Sequence, residues 1–154
     1  MASSSTLSQR PQSPPVQSLT VSTSAAAPSA LLGRFLFVLI FLLSGPNHFV
    51  GKTIAYAAAQ GVPMASIAVP LSGVIAFAGG LSILLGYRAK LGAWLIVLFL
   101  AIVTPALHKF WTVTDPMMFQ IRFAMFLKNL SMLGAALFIT QVGSGPWSLD
   151  ARRK

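Results

Sequence analysis

A lysine lies inside the last long apolar stretch of the chain, where a charge is costly. Lys128 follows Pro116 by twelve residues in this stretch. At a rise of about 1.5 Å per residue it sits roughly 18 Å along a helix, near the middle of a hydrocarbon core about 30 Å thick. An ammonium at that depth costs on the order of 3 kcal/mol, and ionisable residues inside a membrane are functional candidates by default. Lys128 is therefore the centre of the predicted ligand-binding site.

The chain offers Lys128 no carboxylate inside the membrane, since its only acidic residues are Asp115 and Asp150. The ammonium could therefore face an anionic ligand, lose its proton, take up water or bond to hydroxyl and backbone oxygens. One such partner would be a carbonyl left free by Pro46 or Pro105, each of which lacks a backbone N–H.

Small residues accompany Lys128 along its helix. Ala124, Ser131 and Ala135 recur on its side of the predicted span. Because small side chains let helices in lipid approach closely, this pattern predicts that the Lys128 face packs inside a helix bundle.

Polar residues at the ends of the predicted spans could form a positively charged mouth leading to Lys128. His48 and His108 close the first and third spans on the same side of the membrane, and histidine can carry protons near neutral pH. The alternative is ordinary anchoring of span ends in the interface. The full predicted ligand-binding set is Lys128, Asn129, Arg122, His108, His48, Asn47 and Trp111.

Several chemistries are disfavoured by what the sequence lacks. It has no nucleophile motif, P-loop, dinucleotide fingerprint or carboxylate pair, so no catalytic residue is predicted. Zero Cys removes thiol redox chemistry and iron–sulfur clusters. Any redox role must therefore use a bound cofactor or substrate. A haem or metal held by His48 and His108 is disfavoured because neither has a neighbouring carboxylate to orient it, and no metal site is predicted.

Four apolar segments must hold these residues. Of the 154 residues, 55% are hydrophobic and only 8% are charged, whereas a soluble domain carries about 25% charged residues. Spans are predicted at 31–50, 65–85, 91–107 and 116–141, with a short interfacial helix in the first loop. The predicted fold is an all-α bundle of four transmembrane helices over residues 31–150.

The two ends of the chain are predicted to lie outside the bundle. Residues 1–30 are rich in Ser, Pro and Ala with Arg10 as the only charge, a composition that predicts a disordered tail. Transit peptides are similarly acid-free but richer in Arg, which disfavours that alternative. Residues 151–154 form a short basic tail.

The net charge of +9 is better explained by lipid than by nucleic acid, because no basic stripe interleaves with exposed aromatic residues. Seven basic residues fall on the side of the chain termini and three on the other side. The positive-inside rule therefore predicts both termini in the cytoplasm, with a bacterial cytoplasmic membrane as the expected host.

Five short motifs occur in order along the folded region: SGPNHF, YAAAQGVP, GYRAKLGAW, HKFWTVTDPMM and FLKNLSMLGAAL. Together they resemble the DoxX family of membrane proteins over residues 32–150. The resemblance implies a four-helix bundle, with some relatives associated with thiosulfate:quinone oxidoreduction or with complexes that handle oxidative stress. It also implies that Lys128 and Asn129 match a family Lys-Asn pair and that His108 and Trp111 match an aromatic motif. His48 departs from the lysine common in relatives.

Two functions remain from the sequence. In the first, the protein is an accessory subunit that works with a membrane redox partner and binds a quinone or small anion in an outward-facing pocket. In the second, it is a non-enzymatic scaffold whose polar residues tie the helices together. Without Cys or intramembrane carboxylates, an accessory subunit is favoured over a self-contained enzyme. Formation of a homo-oligomer stays open.

Overall fold

The computed structural model describes residues 23–153, with side chains from Pro28 onward, and most of these residues are helical. Four of its helices are long and apolar enough to cross a membrane, so the predicted all-α bundle of four spans is confirmed. The helices are α1 (Thr23–Ser44), α2 (Gly51–Ala59), α3 (Ala65–Leu85), α4 (Ala89–Leu107) and α5 (Pro116–Val142), with short 3-10 helices at Gly45–Phe49, Phe110–Thr112 and Ala151–Arg153.

Local sequence signals account for the best-defined helix ends. α5 begins at Pro116 because the Asp115 carboxylate accepts the Met118 backbone N–H at 2.7 Å, and a missing N–H at the first helical position costs nothing. α3 has the predicted bounds and ends at Leu85, because the following Gly86 has a φ of 62° in the left-handed region that favours glycine. α2 is the short helix predicted between the first two spans.

The first apolar span, Pro28–Phe49, lies within three residues of the predicted 31–50 at each end, but it is not a single α-helix. α1 begins at Thr23, inside the segment predicted as a tail, and ends at Ser44. The chain continues as a 3-10 helix with Pro46 in its first turn, because proline cannot extend the α-helical hydrogen bonds. The rest of the predicted disordered tail, residues 1–22, lies outside the described residues, as does Lys154 at the other end.

Helix α3 is the centre of the packing. It contacts α1, α2, α4 and the 3-10 helix Gly45–Phe49, whereas α5, among the described elements, packs closely only against α4 and the 3-10 helix Phe110–Thr112. The four spans therefore follow one another as α1–α3–α4–α5, and the first and last are not closely packed together. The largest fully buried side chains are Phe41, Ile83, Ile96, Leu100 and Val38.

Glycines bring α3 close to the helices on either side. A Cβ added to Gly79 would lie 2.9 Å from the carbonyl oxygen of Gly92 in α4, and one added to Gly92 would lie 2.6 Å from the Cβ of Ser82. Towards α1, a Cβ on Gly80 would lie 3.3 Å from the Cβ of Phe41. Such backbone approach maximises van der Waals contact between helices in lipid.

The segment after α5 folds back over the end of the bundle that holds the start of α1. Arg34 is only 6% exposed, and its Nη2 donates to the carbonyl oxygen of Trp147 at 2.6 Å. The Asp150 carboxylate accepts the backbone N–H groups of Arg88 at 2.9 Å and Ala89 at 3.1 Å, which caps α4. These bonds tie the C-terminal segment to α1 and to the α3–α4 turn.

Replacing Gly92 by Ala should destabilise the bundle, because the added methyl group would overlap the side chain of Ser82 where α3 meets α4. We expect a loss of about 1–3 kcal/mol in the free energy of unfolding, measured as a lower melting temperature in detergent. The control is Gly134→Ala in α5, where nothing lies within 4 Å of the added Cβ. Equal melting of the two variants would contradict a tight α3–α4 contact.

Candidate functional site

A cavity of about 290 Å³ lies between the spans. Four of the seven residues predicted to bind a ligand line it: His48, His108, Lys128 and Asn129. All five helices contribute to its wall, and most of the wall is apolar. The apolar lining includes Ile40, Phe41, Val69, Phe99, Leu100, Ile102 and Met132.

His48 is held in one orientation by hydrogen bonds to α3. Its Nδ1 lies 3.2 Å from the carbonyl oxygen of Val69 and 2.9 Å from the hydroxyl oxygen of Ser72. Ser72 donates its own proton to the same carbonyl at 2.7 Å, so Nδ1 must be the donor to both oxygens. In the neutral ring Nε2 is then the free acceptor. His48 can therefore accept a hydrogen bond or a proton from a ligand.

A glycine allows His48 to reach this position. A Cβ added to Gly73 would lie 2.5 Å from the Cβ of His48 and 3.1 Å from the carbonyl oxygen of Gly45. Any residue larger than glycine at position 73 would therefore push the 3-10 helix Gly45–Phe49 outward. The histidine ring also contacts Phe99 of α4, with 5.8 Å between ring centroids.

Lys128 and Asn129 come from α5 and differ in burial. Asn129 is 5% exposed, whereas Lys128 is exposed at the edge of the cavity. Within the part of the chain whose side chains are described, the Lys128 ammonium makes no hydrogen bond, so it does not bond the carbonyls near Pro46 or Pro105. Its charge remains available to a ligand.

The prediction that the Lys128 face packs inside the bundle is wrong. Ala124, Ser131 and Ala135 are all exposed. The reason is that α5 has α4 as its only closely packed neighbour among the spans, so a single narrow face of α5 is buried. The small residues beside Lys128 fall outside that face.

The lysine and arginine near the predicted positively charged mouth bond to the residue that follows α2, and neither lines the cavity. Lys109 Nζ donates to the carbonyl oxygen of Gln60 at 3.0 Å, and Arg122 Nη1 donates to the side-chain oxygen of Gln60 at 3.3 Å. Arg122 thus lies outside the lining, although it and Lys128 are near enough to interact electrostatically with His108. Gln60 was not predicted. The sequence signal that could have found it is that Lys109 and Arg122 have no carboxylate within the spans. Each cation therefore needs a neutral hydrogen-bond acceptor.

Asn47 and Trp111 lie away from the cavity. Asn47 is exposed and borders a shallow groove on the outer surface of α1. Trp111 is 56% exposed and packs edge-on against Phe110, with 5.1 Å between ring centroids. Interfacial anchoring, the alternative considered for all the span-end residues, suits these two.

Comparison with known proteins identifies the family. Residues 31–154 match the SURF4 family. This range holds the first span from Leu31 onward and the whole of the other three. The chain belongs to the SURF4 family. Inner membrane protein YphA of Escherichia coli (strain K12) is 32% identical over 135 residues, which cover 83% of this chain and 93% of the relative. Inner membrane protein YqjF of the same organism is 30% identical over 128 residues, which cover 78% and 88%.

No solved structure matches the chain. The SURF4 assignment and the inner-membrane relatives, together with the four apolar helices, establish an integral membrane protein that sits in a lipid bilayer.

The predicted membership in the DoxX family is wrong, since it is the SURF4 family that matches residues 31–154. The motifs that suggested DoxX lie mostly at span ends, where Pro, His, Trp and Lys commonly recur as interfacial anchors. The match of Lys128 and Asn129, and of His108 and Trp111, to motifs of that family falls with it. The placement of Lys128, Asn129 and His108 rests instead on the geometry of this SURF4-family protein.

Replacing Ser72 by Ala should loosen His48 by removing one of the two acceptors of its Nδ1 proton. We expect a loss of about 1 kcal/mol in the free energy of unfolding, together with a smaller Nδ1-protonated fraction of His48 by ¹⁵N NMR. The matched control is Ser131→Ala, which removes only an exposed bond to the carbonyl oxygen of Leu127. Unchanged NMR signals of His48 in Ser72→Ala would refute this account of the tautomer.

Proposed function

We propose that this SURF4-family protein binds a small molecule, a quinone or small anion, in its central cavity and acts as an accessory subunit of a membrane redox system. The observation that supports this most is the composition of the cavity wall. An apolar wall with a few convergent polar groups is typical of small-molecule sites. Here those groups are His48, Lys128 and Asn129.

The lining residues fit the head of a quinone. The volume of about 290 Å³ is near the lower end of ligand pockets, which span about 300–1,000 Å³, and suits a single ring. Lys128 and Asn129 would donate hydrogen bonds to ring oxygens, and His48 would accept a proton or hydrogen bond at Nε2. A bound quinone would supply the electron-transfer chemistry that the chain lacks, since it has no Cys.

A small anion fits the charge of the same region. Lys128 lines the cavity and no Asp or Glu does, so a negative ligand would meet an uncompensated positive charge. Desolvated charges of opposite sign attract strongly because the surrounding dielectric is low.

The second candidate function is a non-enzymatic scaffold, and one observation favours it. Lys109 and Arg122 converge on Gln60, so two of the span-end cations tie α2 to the region around α5. If His48, Lys128 and Asn129 serve the same purpose, the polar groups stabilise the bundle without binding a ligand.

We further propose that the host is a bacterial cytoplasmic membrane, with both termini in the cytoplasm and the end of the cavity that holds His48 and His108 towards the opposite side. The relatives named as inner membrane proteins support the location. The larger group of basic residues, among them Arg34, Arg88 and Lys90, belongs to the end with the chain termini, which supports the orientation. A redox partner protein and a homo-oligomer remain part of the proposal to be tested.

Replacing Lys128 by Met should abolish ligand binding while leaving membrane insertion intact, because methionine keeps the apolar stem and removes the charge. The measurement is mass spectrometry of small molecules that copurify with the protein, with the absorption spectrum as a check for quinone. Lys52→Met is the control, since Lys52 is exposed in α2 and does not line the cavity. The scaffold would be favoured by two results together: the wild type carries no bound molecule, and Lys128→Met raises the melting temperature.

Orientation can be tested by single cysteines, because the natural chain has none. Ala55→Cys in α2 should react with a membrane-impermeant maleimide on intact spheroplasts, whereas Ala151→Cys should react only after lysis. Both positions are exposed in the structure. The reverse labelling pattern would place the termini outside the cytoplasm.

A further inference from the structure

The cavity has an opening on the surface of the bundle. Among its lining residues only Ile40 of α1, Ile102 of α4 and Lys128 of α5 are exposed, while the others are partly or fully buried. Ile102 keeps 59% of its surface exposed and Ile40 keeps 37%. These three residues therefore border the opening.

The opening lies at the depth of the lipid tails. Within their spans, which begin at Pro28, Ala89 and Pro116, Ile40 and Lys128 stand twelve residues from the start and Ile102 thirteen. At about 1.5 Å per residue these positions are roughly 18–20 Å from the span starts. The hydrocarbon core is about 30 Å thick, so all three residues are near its middle and the opening faces hydrocarbon.

The packing of the spans explains why this side is open. Close contacts join α1 to α3, α3 to α4 and α4 to α5, but α5 does not close the ring by packing tightly on α1. Towards the water, by contrast, Gln60 is bonded to both Lys109 and Arg122, which joins α2 to the chain before and within α5.

We infer that the ligand enters from the lipid phase and is an amphipath, with an acceptor-bearing head inside the cavity and an apolar chain that stays in the bilayer. This inference rests on the proposed function and narrows its ligand class. The cavity holds little more than one ring, so the chain of a longer molecule must leave through the opening. Lys128 at the edge of that opening pairs with the head, which offsets the cost of an ammonium in hydrocarbon. A hydrophilic anion has no route through lipid tails.

The test compares a benzoquinone that carries a decyl chain with the same benzoquinone without a chain. Binding of each tritiated compound is measured on the full-length protein in phospholipid nanodiscs, for wild type and for Ile102→Trp, which narrows the opening. Ratios of variant to wild-type affinity cancel the different partitioning of the two compounds into lipid. Leu98→Trp is the control, because Leu98 is 50% exposed on the same helix but does not line the cavity.

We expect Ile102→Trp to weaken binding of the decyl compound about tenfold, or about 1.4 kcal/mol, with the chainless compound and Leu98→Trp nearly unaffected. Ile40→Trp should repeat the result from the other side of the opening and replaces Ile102→Trp if that variant does not fold. Equal effects on both compounds, or none, would overturn entry from lipid while leaving the proposed site intact. Failure of wild type to bind either compound would instead overturn the proposed quinone site, and this inference with it.

Discussion

Helices in lipid gain little from burying apolar side chains against one another, so close van der Waals contact must hold them together. α3 provides that contact on several sides at once. Gly79 brings it against the backbone of α4, Gly80 admits Phe41 of α1, and Gly73 leaves room for the 3-10 helix that follows α1. The positions of the other spans follow from how near each can come to this one helix.

The cavity is a product of the same arrangement. Because Gly73 lets the chain after α1 approach α3, His48 points inward and bonds to Val69 and Ser72. α5 is held mainly through α4, so it brings Lys128 and Asn129 to the cavity without closing the far side. The polar groups thus gather where helix packing is incomplete, which is where a ligand can contribute contacts that the protein itself lacks.

Features set by neighbouring residues could be predicted from the sequence, and those set by distant partners could not. The start of α5 follows from Asp115 and Pro116, and the depth of Lys128 follows from counting along the span. The sequence could not show which of Asn47 and His48 lines the cavity. Adjacent residues of a helix point in directions about 100° apart, and only the packed structure shows which of the two points inward. Gln60 was missed because its cationic partners lie far along the chain. The family could not be identified from short strings at span ends, since interfacial anchors recur among unrelated membrane proteins.

The buried guanidinium of Arg34 sets an order on biosynthesis. Its Nη2 bonds the carbonyl oxygen of Trp147, which is 113 residues further along the chain. While a ribosome is still inserting the later spans, the first span must keep this cation in water or among headgroups, because no carbonyl from the C-terminal segment yet exists to accept its protons. Only when the segment around Trp147 emerges can Arg34 be covered, so this docking step follows insertion of all four spans, and a chain truncated before Trp147 stays open at that end.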